Sequence, residues 1–155
     1  MTDTSELAFT PADRRRETRV LGVVSSGHFL AHFYVIVLPP LFPLLNAELG
    51  VSYAALGVLM TALNLVTSAT QVPIGFLIDR FGARAPLALG LALMGGAHAL
   101  AGIWGSYAAL FVAMLAVGLG NAVFHPADYA ILAQQVGKSR LGRAFSVHTA
   151  AGHIG

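Results

Sequence analysis

The sequence predicts an all-α, polytopic membrane protein, and three observations carry that prediction: its composition, the length of its apolar runs and the position of its basic residues. Hydrophobic residues make up 56% of the 155 residues and charged residues only 10%, whereas a soluble domain carries roughly 25% charged residues. This leaves too little polar material to cover a water-soluble core. Lipid is therefore the expected solvent.

The apolar runs define four complete spans and the start of a fifth, since an α-helix needs about 20 apolar residues to cross a bilayer. The predicted spans cover residues 20–45, 53–78, 86–104, 107–136 and the incomplete 144–155. Pro39, Pro40 and Pro43 are expected to bend or end the first span. Residues 1–19 form a predicted polar tail, and the short fifth span indicates a part of a longer protein.

The basic residues set the expected orientation. All nine Lys and Arg residues lie in the N-terminal tail, the loop after the second span or the loop after the fourth. Because cytoplasmic loops carry the excess of Lys and Arg, the N-terminus is predicted to be cytoplasmic and the protein to lie in the inner (plasma) membrane. The formal net charge of +2 does not indicate nucleic acid binding, because the charges alternate with apolar runs.

The loop between the second and third spans has an unusual pattern of glycines and charges. It reads Gly75-Phe-Leu-Ile-Asp79-Arg80-Phe-Gly82-Ala-Arg84. Gly75 allows close packing at a helix end, and Gly82 permits a tight turn. Asp79 can accept hydrogen bonds from a helix N-terminus or pair with an Arg.

This loop resembles the signature of the major facilitator superfamily of secondary transporters, with Ala85 where a second basic residue is frequent. The segment from Gly118 to Ala127, which contains Phe124-His125-Pro126, resembles that family's fourth helix, and Gly142-Arg143-Ala-Phe resembles its lead into the fifth. The pairing of His-Phe in the first span with Phe-His-Pro in the fourth most resembles the fosmidomycin-resistance-like efflux transporters.

The resemblance implies a fold of twelve helices in two halves, of which this chain would be most of the N-terminal one. It also implies alternating-access transport of a small-molecule substrate, with efflux favoured over uptake, and activity that needs the C-terminal half. Asp79 and Arg84 would make and break contacts between the halves. The alternative is that Asp79 merely caps a helix.

Ionisable residues at membrane depth are candidates for function, because placing them in hydrocarbon costs at least ~2.5 kcal/mol for an Asp. The candidates for proton coupling or for lining a cavity are His28, His32, His125, Asp128 and His148. Histidine exchanges a proton near neutral pH, so Asp128 with His125, reached by His28, is the predicted proton-coupling element. A polar network that only holds helices together is the alternative.

The second and fourth spans contain polar residues and glycines whose spacing suggests a role. Thr61, Asn64, Ser68 and Gln71 share one face of the second span by their spacing. Asn64, Ser68 and Gln71, together with Asn121 in the fourth span, are candidates for a substrate cavity, although hydrogen bonding between helices would also use them. Gly118 and Gly120 in the fourth span predict close helix packing.

Parts of the sequence are also compatible with two other classes of function. An intramembrane metal-dependent enzyme would use His28, His32, His125 and Asp128 as ligands. However, no Glu lies between the two His as in a zinc-hydrolase helix, and no general base or nucleophile is evident. A non-transporting helical scaffold is the other alternative. The sequence therefore predicts no enzyme, no cofactor and no resident metal; the expected partners are a small-molecule substrate, protons and the lipid bilayer.

Overall fold

The computed structural model describes residues 11–155, which form seven α-helices and two short 3-10 helices. The α-helices are α1 (Pro11–Ile36), α2 (Phe42–Leu49), α3 (Tyr53–Phe81), α4 (Arg84–Trp104), α5 (Tyr107–Asn121), α6 (Phe124–Gln135) and α7 (Leu141–Ile154). The 3-10 helices are Pro39–Leu41 and Lys138–Arg140. Within residues 11–155 there is no β-strand, so the all-α prediction is confirmed.

Four helical stretches are long and apolar enough to cross a membrane. They are Asp13–Leu49, Tyr53–Phe81, Arg84–Trp104 and Tyr107–Gln135. Large apolar side chains on them stay exposed, such as Val23, Phe76 and Ile103 at 68%, 72% and 78%. A soluble monomer rarely exposes so much apolar surface, whereas a bilayer gives these side chains an apolar solvent.

The first helix begins earlier than the predicted span. It is already helical at Pro11, because Arg and Glu are good helix formers and continue the apolar helix into the polar segment. Residues 1–10 of the predicted tail lie outside the described residues. α1 ends at Ile36, shortly before Pro39 and Pro40, which lack the N–H that a continuing helix needs. The chain turns there and resumes as α2.

The predicted fourth span is interrupted near its middle. α5 ends at Asn121 and α6 begins at Phe124, with a turn at residues 122–123. Pro126 explains the interruption, because its ring lacks an N–H and crowds the carbonyl four residues earlier, at Ala122. The Val123 N–H instead bonds to the Gly120 carbonyl at 3.3 Å. α6 is thus a short separate segment that carries His125 and Asp128.

Glycines let the helices approach closely around α5. A Cβ added at Gly118 would lie 2.5 Å from the Leu63 carbonyl oxygen of α3, and one at Gly120 would lie 2.7 Å from the Gly90 carbonyl oxygen of α4. Neither backbone position leaves room for a side chain, so the predicted close packing is confirmed. α1 packs mainly against α7 on the other side of the bundle.

The three basic segments lie at one end of the bundle. Arg19 of α1, Arg84 of α4 and Gln135 of α6 line a single groove. At the same end, Arg16 donates a hydrogen bond of 2.8 Å to the Gln135 side-chain oxygen. This arrangement agrees with the single-sided placement that the sequence predicts for the basic loops.

Candidate functional site

The centre of the site is formed by three side chains from three helices: His28 of α1, Asp128 of α6 and His148 of α7. They are 4%, 0% and 0% exposed, respectively. His148 Nε2 lies 3.4 Å from Asp128 Oδ2, and the rings of His28 and His148 stack with centroids 4.0 Å apart. We call these three residues the buried triad. The sequence did not predict that His148 would be the neighbour of Asp128.

A second layer of rings surrounds His28. The centroid of His32 lies 4.5 Å from that of His28, and the centroid of His125 lies 5.5 Å from it. His32 and His125 are half-buried. We call them the outer pair. Tyr129 of α6, a residue that the sequence analysis did not single out, places its ring 6.0 Å from His125 and 6.3 Å from His148.

The backbone around the triad explains how α7 can approach α1 so closely. A Cβ added at Gly152 would lie 2.5 Å from Cε1 and 2.8 Å from Nδ1 of the His28 ring. The absence of a side chain there makes room for the ring. His28 Nδ1 lies 3.1 Å from the backbone oxygen of His148, which ties α1 to α7.

Several polar atoms of the triad are buried without a hydrogen-bond partner. They are His28 Nε2, both carboxylate oxygens of Asp128 and both ring nitrogens of His148. Such atoms are costly to bury unsatisfied, so the arrangement calls for something that interacts with them. Two sets of residues bring their donor atoms within 4.8 Å of one another: the buried triad, and His28 with the outer pair.

The glycine and charge pattern of the loop occupies the junction of α3 and α4. Gly82 has φ 86°, and its N–H bonds to the Ile78 carbonyl at 2.8 Å, so the tight turn predicted for Gly82 is present. Gly75 faces Pro126 of α6, with 3.9 Å between a Cβ added at Gly75 and the proline Cβ. Arg80 stacks over the Phe81 ring at 5.4 Å.

The charged residues of this loop face a cleft. Asp79 and Arg84 line it together with Gln134 and Gln135 of α6. Within residues 11–155, the exposed Asp79 carboxylate makes no hydrogen bond or ion pair. The helix-capping alternative for Asp79 therefore has no support in the described part of the chain.

The candidate cavity residues of α3 have mixed surroundings. Asn64 and Ser68 are exposed and Gln71 is half-buried, but the Asn64 amide donates to the Met60 carbonyl of its own helix at 2.8 Å. Asn121 donates to the Thr67 hydroxyl at 3.5 Å. Thr67 in turn donates to the Gly118 carbonyl at 3.0 Å. Thr67, which the sequence analysis missed, thus links α3 to α5.

A second residue that the sequence analysis missed is Glu17, which is 4% exposed. Its carboxylate accepts a hydrogen bond from the Gly137 N–H at 2.7 Å and pairs with Arg140. The signal was a lone acidic residue between the arginines at positions 16 and 19. Without the fold, nothing in the sequence indicated its partner.

Comparison with known proteins gives a consistent picture. A family model described as Major Facilitator Superfamily matches residues 24–155. The fosmidomycin resistance protein of Escherichia coli K12 is 26% identical over 136 residues, covering 88% of this chain and 33% of that protein. An uncharacterized MFS-type transporter of Bacillus subtilis is 28% identical over 140 residues, covering 88% of this chain and 33% of that protein.

A further relative is a probable L-galactonate transporter of Escherichia coli K12, 24% identical over 148 residues, covering 91% of this chain and 33% of that protein. The chain thus spans about a third of the length of these curated relatives. No solved structure matches the chain at a significant level.

Proposed function

The chain belongs to the major facilitator superfamily, and from that membership we propose that it forms the N-terminal part of a proton-coupled secondary transporter that exports a small molecule. It is a multi-pass membrane protein of a family of transporters. The proposal places it in the inner membrane with a cytoplasmic N-terminus, because the basic segments gather at one end of the bundle. Transport then requires a C-terminal half that rocks against this one.

The observation that carries proton coupling is the burial of Asp128 beside His148 inside a membrane span. Asp128 lies seven residues before the end of the span at Gln135, about 10 Å deep at 1.5 Å per residue. A carboxylate at such depth is costly and marks a proton or ion pathway in many transporters. With His28 stacked on His148 and His125 beside His28, a proton has several acceptors within one cluster.

The charged loop between α3 and α4 supplies the proposed conformational control. Asp79 is exposed and unpaired within the described residues, and Arg84 lines the same cleft. A charge held at a cleft mouth without a local partner is available to a partner elsewhere. We assign that partner to the C-terminal half, so that contact with Asp79 and Arg84 forms when the cytoplasmic side closes.

The test uses the complete transporter in inverted membrane vesicles whose interior is acidified, with a fluorescent dye that reports the pH gradient. Fosmidomycin and L-galactonate are the first substrate probes, chosen from the names of the two Escherichia coli relatives. Addition of a transported probe is expected to release protons from the vesicles. The Asp128→Asn variant is expected to lose this proton release while it retains a wild-type elution profile in size-exclusion chromatography.

The matched control is His98→Gln. His98 is a half-buried histidine of α4 whose Nδ1 contacts the Met94 carbonyl of its own helix at 2.9 Å, away from the triad. Vesicles that contain the His98→Gln variant should release protons on addition of a probe as wild-type vesicles do. Probe-driven proton release at the wild-type rate in Asp128→Asn would refute the assignment of the coupling site.

A further inference from the structure

The buried triad has donor atoms that no hydrogen bond uses. Five side-chain atoms of His28, Asp128 and His148 have no hydrogen-bond partner, and they belong to residues that are at most 4% exposed. Among them, His148 Nε2 and Asp128 Oδ2 lie 3.4 Å apart. Burying a polar atom without a partner is costly, because the atom loses its hydrogen bonds to water. Several in one place indicate that a ligand satisfies them together.

The hydrogen bond of His28 determines which of its nitrogens is free. His28 Nδ1 lies 3.1 Å from the backbone oxygen of His148. A carbonyl can only accept, so Nδ1 carries the hydrogen and the lone pair of the neutral ring is on Nε2. Metal-binding histidines are commonly oriented by this kind of bond from the other ring nitrogen to a backbone carbonyl. Nε2 of His28 is thus preset as a ligand atom.

The spacing of the donor atoms fits a transition metal. Ligands at about 2.0–2.2 Å from a tetrahedral ion lie about 3.4 Å from one another. His148 Nε2 and Asp128 Oδ2 are already 3.4 Å apart, and all three donor atoms of the triad lie within 4.8 Å of one another. The remaining edges need to shorten by at most about 1.4 Å to reach that tetrahedral separation. The His148 ring, which is stacked on His28 and has no hydrogen bond on either nitrogen, also has to turn so that the in-plane lone pairs of both rings meet at one ion.

We propose that His28, Asp128 and His148 bind a divalent transition-metal cation of the Zn²⁺ or Co²⁺ type. Two imidazoles and one carboxylate suit these ions, whereas Mg²⁺ and Ca²⁺ take oxygen ligands. The Asp128 carboxylate supplies the negative charge that a buried dication requires. The proposal differs from the expectation from the sequence that no metal binds, because the structure brings His148 beside Asp128.

The outer pair gives the ion a route to the triad. His32 and His125 are half-buried, and with His28 they bring their donor atoms within 4.8 Å of one another. His28 belongs to both sets. An ion held first by the more accessible set therefore needs to exchange only two ligands to enter the buried one.

The first experiment is a Zn²⁺ titration of the complete transporter, purified in detergent without a polyhistidine tag and freed of metal with a chelator. Isothermal titration calorimetry is expected to show one saturable site. His28→Gln, Asp128→Asn and His148→Gln should each weaken Zn²⁺ affinity at least about 100-fold, because even outer partners of metal ligands contribute 10–100-fold. His98→Gln is the matched control, because His98 Nε2 is also buried without a partner but lies outside both sets.

A second measurement uses only the wild-type protein and so does not depend on the folding of a variant. The visible absorption spectrum of bound Co²⁺ distinguishes a four-coordinate nitrogen and oxygen site, which we expect, from a six-coordinate hydrated ion. Absence of saturable Zn²⁺ binding, a six-coordinate Co²⁺ spectrum, or wild-type affinity in a folded Asp128→Asn variant would overturn the proposal. So would loss of binding in His32→Gln and His125→Gln alone, which would place the ion in the outer set.

The binding experiments do not depend on transport, so the proposed metal site and the proposed proton coupling can be refuted independently. If the transporter releases protons on addition of a probe but binds no Zn²⁺, only the proposal of the metal site is refuted. If it binds Zn²⁺ at the triad but releases protons independently of Asp128, only the proposal that Asp128 couples transport to protons is refuted.

Discussion

The Glu17 carboxylate accepts a hydrogen bond of 2.7 Å from the backbone N–H of Gly137, which lies 120 residues further along the chain. It joins the start of α1 to the short connection between α6 and α7, where Arg140 pairs with the same carboxylate. The contact holds α1 against the connection between α6 and α7, at the end of the bundle where the basic segments lie.

Glu17→Ala is therefore expected to lower the free energy of unfolding by about 1.5–3 kcal/mol, the range for a lost hydrogen bond to a charged group. Arg140 is 42% exposed, so water would solvate its freed charge and the loss stays in this range. Unfolding by dodecyl sulfate in mixed micelles measures the change. Glu48→Ala, at an exposed position of α2, is the control, and equal stability of the two variants would contradict the prediction.

Gly118→Ala is expected to destabilise the bundle by about 1–3 kcal/mol, the range for overpacking a tight core. The added Cβ would lie 2.5 Å from the Leu63 carbonyl oxygen, and a backbone atom cannot move aside as a side chain does. Gly96→Ala is the matched change, since an added Cβ there meets nothing within 4 Å. The same unfolding measurement separates them; a neutral Gly118→Ala would show that α3 and α5 can separate at little cost.

Gly152→Ala tests the position of the His28 ring without changing any ionisable residue. The new Cβ would lie 2.5 Å from Cε1 of that ring, so the ring must move and lose its bond to the His148 carbonyl. We expect a decrease of about tenfold in both Zn²⁺ affinity and probe-driven proton release, the effect of one hydrogen bond of ~1.4 kcal/mol.

Gly142→Ala provides the comparison on the same helix, because an added Cβ there has nothing within 4 Å. It should behave as the wild type in both measurements. If Gly152→Ala also behaves as the wild type, the position of the His28 ring does not matter for either proposal.

Asp79→Asn is expected to reduce transport by about tenfold, again the effect of ~1.4 kcal/mol, and to leave the free energy of unfolding within about 0.5 kcal/mol of wild type. Asp79 is exposed and has no hydrogen bond or ion pair within residues 11–155, so its removal breaks nothing in this half. Probe-driven proton release and unfolding by dodecyl sulfate give the two values. Glu48→Gln is the control for loss of one surface charge, and a large fall in stability for Asp79→Asn would assign it a structural role instead.

The spans were predictable because lipid sets their length. The apolar runs predicted four spans, and the prolines predicted a bend or an end of the first span between Pro39 and Pro43. The early start of α1 does not follow from the length of the apolar run, because polar Arg and Glu residues continue a helix beyond the membrane-spanning part. The interruption at residues 122–123 follows from Pro126, which lies four residues after Ala122 and is therefore a signal that the sequence contains.

The residues of the site could be predicted from the sequence, but the contacts between them could not. His28, Asp128 and His148 stood out because ionisable residues are rare at membrane depth. Their pairing depends on how α6 and α7 pack, and helical spacing alone favoured His125 as the neighbour of Asp128. Glu17 found its partners 120 and 123 residues away, a separation over which periodicity carries no information.

The stacked rings of His28 and His148 limit how much positive charge this cluster can hold. Two positive charges at the 4.0 Å centroid separation would repel each other by about 4 kcal/mol even at an effective dielectric constant of 20. Double protonation of the pair is thus disfavoured by nearly a thousandfold. The pair of rings therefore holds at most one added proton at a time.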